Sequence, residues 1–315
     1  MSAPYIPRRR FLMSVLGDLA LVGCCRSGIT GSHELLSRLA DYSRERGLGI
    51  GLLPSNLLLI QYFSDPNDRR DISLPHEVTQ DRPAMLVDWG RAVVVVEQSG
   101  TLSLRNLTGN EMSTVPGNAN LYGCALHKEA QRLLFWARTS KTAHYQFYLA
   151  ELDRHRTWSL FQLDANSPRL GTTASFATAD ASLIRISVGF DSYLVRFNGE
   201  QLEKEAWHLE FAEGSPNGQL LAGRQTNGRL ALYDLRTKAI LDLGASVLGR
   251  CKWDPSSRYI LAVTPTHGPP WCAPAEIVIV DAITREVLKV PAFVADARDH
   301  LYEWVLLPKM REDAS

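Results

Sequence analysis

A unit of about 43 residues recurs along most of this chain, and that repeat constrains the fold more than any other feature. Each copy is a short apolar strand ending in Asp or Asn, a polar turn, then a second strand. The two clearest copies are Leu230-Ala-Leu-Tyr-Asp234-Leu-Arg-Thr-Lys-Ala-Ile-Leu and Ile277-Val-Ile-Val-Asp281-Ala-Ile-Thr-Arg-Glu-Val-Leu. Weaker copies end at Asn106, Asp153 and Asn198, with a further candidate at Asp65. The six anchors are 41, 47, 45, 36 and 47 residues apart. A supersecondary unit of this length cannot bury its apolar faces alone, so copies must stack on one another. The runs between anchors, such as Ala92–Glu97, Leu133–Ala137, Leu183–Val188 and Tyr259–Val263, are β-rich and bounded by Gly, Pro, Asn and Asp.

A second element keeps the same phase. Ser215-Pro-Asn-Gly-Gln-Leu-Leu-Ala222 and Asp254-Pro-Ser-Ser-Arg-Tyr-Ile-Leu-Ala262 are Pro-containing turns leading into apolar strands. With these turns the sequence resembles a degenerate WD-repeat-like bacterial β-propeller. Tyr233-Asp234 stands where a WD repeat has Trp-Asp, and no Gly-His dipeptide precedes it. The resemblance covers about residues 48–308 and is carried by the last two copies. It implies an all-β propeller of six, possibly seven, four-stranded blades. A ring must close, because an open end leaves apolar faces and unpaired strand edges. The tail His300-Leu-Tyr-Glu-Trp304-Val-Leu-Leu-Pro308 has a strand pattern and is expected to complete the blade begun by Gly49–Phe63.

Before the repeats, residues 30–47 predict one helix. Ser32 is the N-cap candidate, Leu35, Leu36, Leu39 and Tyr42 form one apolar stripe, and Gly47 ends it. The first twenty-five residues have a different texture. Arg8-Arg9-Arg10-Phe11-Leu12 precedes an apolar run that ends in Gly23-Cys24-Cys25, the layout of a secretory signal peptide. Arg8, Arg9, Phe11 and Leu12 resemble the twin-arginine export motif, and Leu21-Val22-Gly23-Cys24 resembles a lipobox in which Cys24 is acylated. Asp18 departs from both patterns, since a carboxylate inside the apolar run is costly to insert. The alternative is an N-terminal arm whose arginines are solvated and whose apolar run packs on the domain. The expected organisation is therefore a signal peptide over 1–23, a linker and short helix over 24–47, the propeller over 48–308 and a disordered tail over 309–315.

Composition narrows the function classes. Lys plus Arg number 34 and so do Asp plus Glu, so the formal net charge is zero. Cleavage after Gly23 would remove three Arg and one Asp, leaving 31 basic and 33 acidic residues. Such balance argues against a nucleic-acid partner, which needs a cationic face. No apolar run reaches the roughly 18 residues of a spanning helix. The five cysteines, at 24, 25, 124, 251 and 272, include no CxxC pair. Cys124 and Cys251 sit three repeats apart, which places them across a six-bladed ring and predicts free thiols.

No GxSxG, Walker loop, GxGxxG or HExxH occurs. His33, His76, His127, His144, His155, His208 and His300 form no ligand spacing, and the pairs Glu203/Glu205 and Glu312/Asp313 read as solvated turns. No catalytic residue, metal or cofactor is therefore expected. His267-Gly-Pro-Pro-Trp271-Cys272 is the candidate binding loop, with His267 and Trp271 as contacts and a simple strand connection as the plainer alternative. The leading expectation is a non-enzymatic, monomeric binding or scaffold protein, lipid-anchored on the periplasmic side of a bacterial envelope and presenting loops to a protein or peptide partner. A propeller hydrolase or lyase with scattered channel-mouth residues is the first alternative, and converging carboxylates or histidines there would favour it. A cytoplasmic scaffold is the second.

Overall fold

The computed structural model describes residues 30–307, except 54–56, 65–68, 75–83, 98, 118–120, 139–143, 165–171, 179, 199, 207–208, 265–275 and 292–301. Six antiparallel sheets follow one another around a ring. Blade 1 takes its innermost strand, Tyr302–Leu306, from the C-terminal end of the chain and the rest, Leu48–Leu52, Leu57–Tyr62 and Arg69–Ser73, from the start. Blades 2 to 5 each run in simple order from the axis outward. Their innermost strands are Ala84–Val87, Leu121–His127, Thr172–Phe176 and Glu210–Gly214. Blade 6 comprises Lys252–Trp253, Tyr259–Thr264, Glu276–Asp281 and Val287–Pro291, and Thr30–Gly31 adds a short fifth strand to its outer edge.

The ring is thus six blades, and both chain ends cross the same seam. Tyr302–Leu306 pairs with Leu48–Leu52 in full register from Leu48↔Leu306 to Leu52↔Tyr302. Thr30 and Gly31 pair with Lys289 and Leu288. Between these two closures lies helix α1, His33–Arg46. Ser32 caps it as expected, its hydroxyl accepting from the Leu35 amide at 3.2 Å, and Gly47 ends it at φ 72°, a left-handed conformation that favours glycine. Leu35 and Leu39 are fully buried between blades 6 and 1, against Tyr259, Leu261, Ile279, Leu288 and Trp304. The helix is therefore a wedge filling the seam.

The repeat anchors have a common structural meaning. Asn106, Asp153, Asn198, Asp234 and Asp281 all stand at the turn between the third and fourth strands of a blade; Asp65 lies outside the described residues. The Asp234 carboxylate accepts from the Arg236 and Thr237 amides at 2.8 Å each, and Asp281 accepts from Ile283 at 2.9 Å and Thr284 at 3.1 Å. A short side-chain acceptor stands in for the backbone acceptor that a tight turn lacks, which is why Asp and Asn recur there. Glu203 and Glu205, by contrast, lie in the outermost strand of blade 4, Gln201–Ala206, rather than in a turn. The core sits between neighbouring blades: Val94, Leu104 and Phe135 fill the space between blades 2 and 3, and Trp136, Phe147 and Ile186 that between blades 3 and 4.

Candidate functional site

The sequence-predicted contacts and signals cannot be placed together, because Arg8, Arg9, Phe11, Leu12 and Cys24, and the loop with His267 and Trp271, all lie outside the described residues. Cys124 and Cys251, carried by blades 3 and 6 on opposite sides of the ring, are not joined in a disulfide. Among the described residues no cluster of His, Cys, Asp and Glu could hold a metal, and no helix is long and apolar enough to cross a membrane.

A different site emerges on the ring axis. A cavity of about 590 Å³ opens where the innermost strands turn back into the second strands, and all six blades contribute to its wall. Its mouth includes the turns that the repeat phase singled out. Ser215, Pro216 and Asn217 of blade 5 and Pro255 of blade 6 stand beside Asp88 and Trp89 of blade 2 and His127–Glu129 of blade 3. These turns are rigid. The Ser215 hydroxyl accepts from the Leu220 amide at 3.0 Å, and the fully buried Asp254 carboxylate accepts from the Tyr259 and Arg258 amides at 2.6 and 2.9 Å. Lys128 and Asp88 form an ion pair of 3.1 Å between neighbouring mouth turns.

Deeper in, three successive innermost strands bring charges to the axis. Glu213, Lys252 and Glu303 occupy the same phase in blades 5, 6 and 1. The Trp253 indole donates to the Glu213 carbonyl at 3.0 Å, and the Trp304 indole donates to the Lys252 carbonyl at 2.9 Å, so each blade is fastened to its neighbour next to these residues. The Lys252 ammonium lies 3.0 Å from Glu303 and 3.9 Å from Glu213. Burial pushes the Lys252 ammonium down, but the two carboxylates outweigh it and hold the group above its ordinary range, so it stays charged. Burial also raises the Glu213 carboxyl, opposed by Lys252 and Arg250 and assisted by Glu303. Cys124 faces the same cavity, where burial pushes its thiol up to about 12; it is protonated at neutral pH and unsuited to act as a nucleophile.

Arg250 closes the far end. It precedes the innermost strand of blade 6 and reaches across to blades 3 and 4. There its guanidinium donates to the Thr172 carbonyl at 2.8 Å and lies over the Tyr122 and Trp136 rings at 5.4 and 5.3 Å. Only 6% of the residue is exposed. Trp136 is held in place by Gly123, since a Cβ at that position would lie 2.1 Å from the indole.

Sequence reasoning missed this cluster. The available signal was the alignment of Ser215-Pro216 with Asp254-Pro255, which sets Glu213 and Lys252 at one phase with opposite charges. Read singly, each is an ordinary charged residue in a strand.

No family model matches the chain, and no curated protein matches it. Among solved structures it is similar to TolB from Acinetobacter baumannii, at 15% identity, with a TM-score of 0.57 and coverage of 97% of this chain and 74% of that one. At this identity the likeness is one of fold. In all, 1083 solved chains match, so the shape is widespread and function has to be argued from the site.

Proposed function

We propose that this chain is a non-enzymatic binding propeller whose axial cavity and mouth turns receive a protein or peptide partner. The observation that carries this reading is the cavity of about 590 Å³, walled by all six blades and rimmed by turns fixed through their own side chains. A volume of that order suits an inserted segment or small ligand, and a rim that does not reorganise loses little freedom on binding. The export-like start supports an address on the periplasmic side of a bacterial envelope, with Cys24 as the lipid-bearing residue. Affinity capture with the full, membrane-extracted chain tests the first part. A partner should be retained by the wild type and lost when the exposed mouth residues Pro216 and Glu129 are both replaced by Lys, with the melting temperature little changed. Capture that is indifferent to the mouth would overturn it. For the tether, Cys24→Ser should abolish palmitate incorporation and release the chain from membranes; equal membrane association would count against it.

Glu213 and Glu303 converging on Lys252 favour a second reading, a hydrolase or lyase in which the carboxyl raised by burial acts as a general acid. Glu213→Gln separates the two. It should abolish the wild type's turnover under the catalytic reading, whereas under the binding reading the wild type shows no turnover for it to change.

A further inference from the structure

Arg250 is an almost fully buried cation that makes no direct ion pair among the described residues. Its one hydrogen bond among the described residues goes to a neutral acceptor, the Thr172 carbonyl, and it forms no ion pair among them. Of the carboxylates in the cavity, Glu303 pairs with Lys252, and Glu213 acts on Arg250 only through space while lying 3.9 Å from Lys252. Removing a cation from water without an anionic partner is costly, and two aromatic faces offset only part of that. The two rings and the Thr172 carbonyl hold the guanidinium beside the cavity, and most of its five N–H donors have no hydrogen-bond acceptor among the described residues. The Trp136 indole N–H, buried and without an acceptor among the described residues, lies in the same wall.

The geometry points to a carboxylate site at the base of the axial cavity, with the Arg250 guanidinium as the fork that takes the ligand's two oxygens. Lys252 is already committed to Glu303 and is not the anchor. A planar carboxylate matches the fork. A phosphate dianion would bring twice the charge into a cavity where Lys252 and Arg250 are already matched in number by Glu213 and Glu303, so the site favours a monoanion. The carboxylate is that of a small organic acid or of a chain terminus. The inference rests on the cavity being the binding site proposed above, but not on the identity of the macromolecular partner.

The test is titration calorimetry on the full chain with paired probes: benzoate against benzamide, and N-acetyl-glycyl-phenylalanine against its carboxamide. At least one acid should bind about tenfold or more tightly than its amide. Arg250→Gln should erase that preference, and Arg250→Lys, which keeps the charge without the fork, should weaken it. Preference for benzoate alone identifies a small-acid site, and preference for the peptide acid identifies a terminus. Equal binding of acid and amide, selectivity that survives in Arg250→Gln, or no binding of either acid up to about 10 mM would overturn the proposal. Should Arg250→Gln fail to fold, the acid–amide comparison on the wild type and Arg250→Lys decides. Acid binding that fails while partner capture at the mouth persists removes this site and leaves the binding function standing.

Discussion

Single residues define both the rim and the base of the cavity. Asp254 is fully buried, and its carboxylate organises three backbone donors of one turn, from Ser256, Arg258 and Tyr259. Asp254→Ala leaves those amides without their acceptor and should destabilise the protein by about 2–3 kcal/mol, read from chemical denaturation. Gly123→Ala should be disproportionately harmful for one added methyl group. Its Cβ would lie within 2.1 Å of the Trp136 ring, and relieving that overlap should cost about 1–3 kcal/mol and displace the ring on which Arg250 rests. Thermal melting measures the first effect, and an altered indole fluorescence spectrum reports the second. Equal stability of Gly123→Ala and the wild type would contradict the packing described.

At the scale of elements, α1 is held to blade 6 by charge as well as by its leucines. Arg38 on the helix pairs with Glu286 and with Asp281, the latter at 3.3 Å, and Ser32 donates to Glu286. Hydrogen bonds from Ser32, Thr284 and Arg38 hold the Glu286 carboxyl down to about 2, against an ordinary 4.5. Burial pushes the Asp281 carboxyl up, but hydrogen bonds from Arg258 and from the Thr284 and Ile283 amides more than offset it, leaving it below its ordinary range. A carboxyl depressed in the folded state stabilises fully above its unfolded pKa and loses that contribution as pH falls through the folded one. For Glu286 the window runs from about pH 4.5 down to about pH 2. The protection of the α1 amides relative to intrinsic exchange at each pH should therefore fall across that window, and less steeply in Glu286→Gln. An identical pH profile in the variant would mean that this contact does not hold the helix.

For the whole molecule, closure is the decisive event. The last strand of blade 1 arrives about 250 residues after its neighbour in the sheet, so the ring is completed by a pairing between the two ends of the repeat array. Leu306 also donates to the Trp89 carbonyl of blade 2 at 2.9 Å, and Val305 packs with Leu86, so this strand joins two blades. Deleting residues 301–308 should lower the melting temperature of the entire ring in one cooperative transition and expose the apolar side of Leu48–Leu52 to dye binding. An unchanged melting temperature would show that the ring does not need the closure.

Much of this architecture was legible in the chain itself. The Asp and Asn anchors set the blade count because a turn lacking a backbone acceptor selects those side chains locally. Ser32 and Gly47 marked the ends of α1 for an equally local reason, and the alternating Tyr302–Leu306 segment declared itself a strand in need of a sheet. The innermost strands were harder to see: Lys252–Trp253 spans two residues, and Glu210–Gly214 lacks a continuous apolar run, because the axis is lined by polar groups. The site itself was decided only by tertiary structure. Glu213, Arg250, Lys252 and Glu303 come from three blades, and Tyr122, Trp136 and Thr172 from two others. Their meeting depends on the ring radius and on each blade's inclination, which no local pattern encodes. Sequence order fixes which residues share a phase, whereas only closure of the circle brings equal phases face to face.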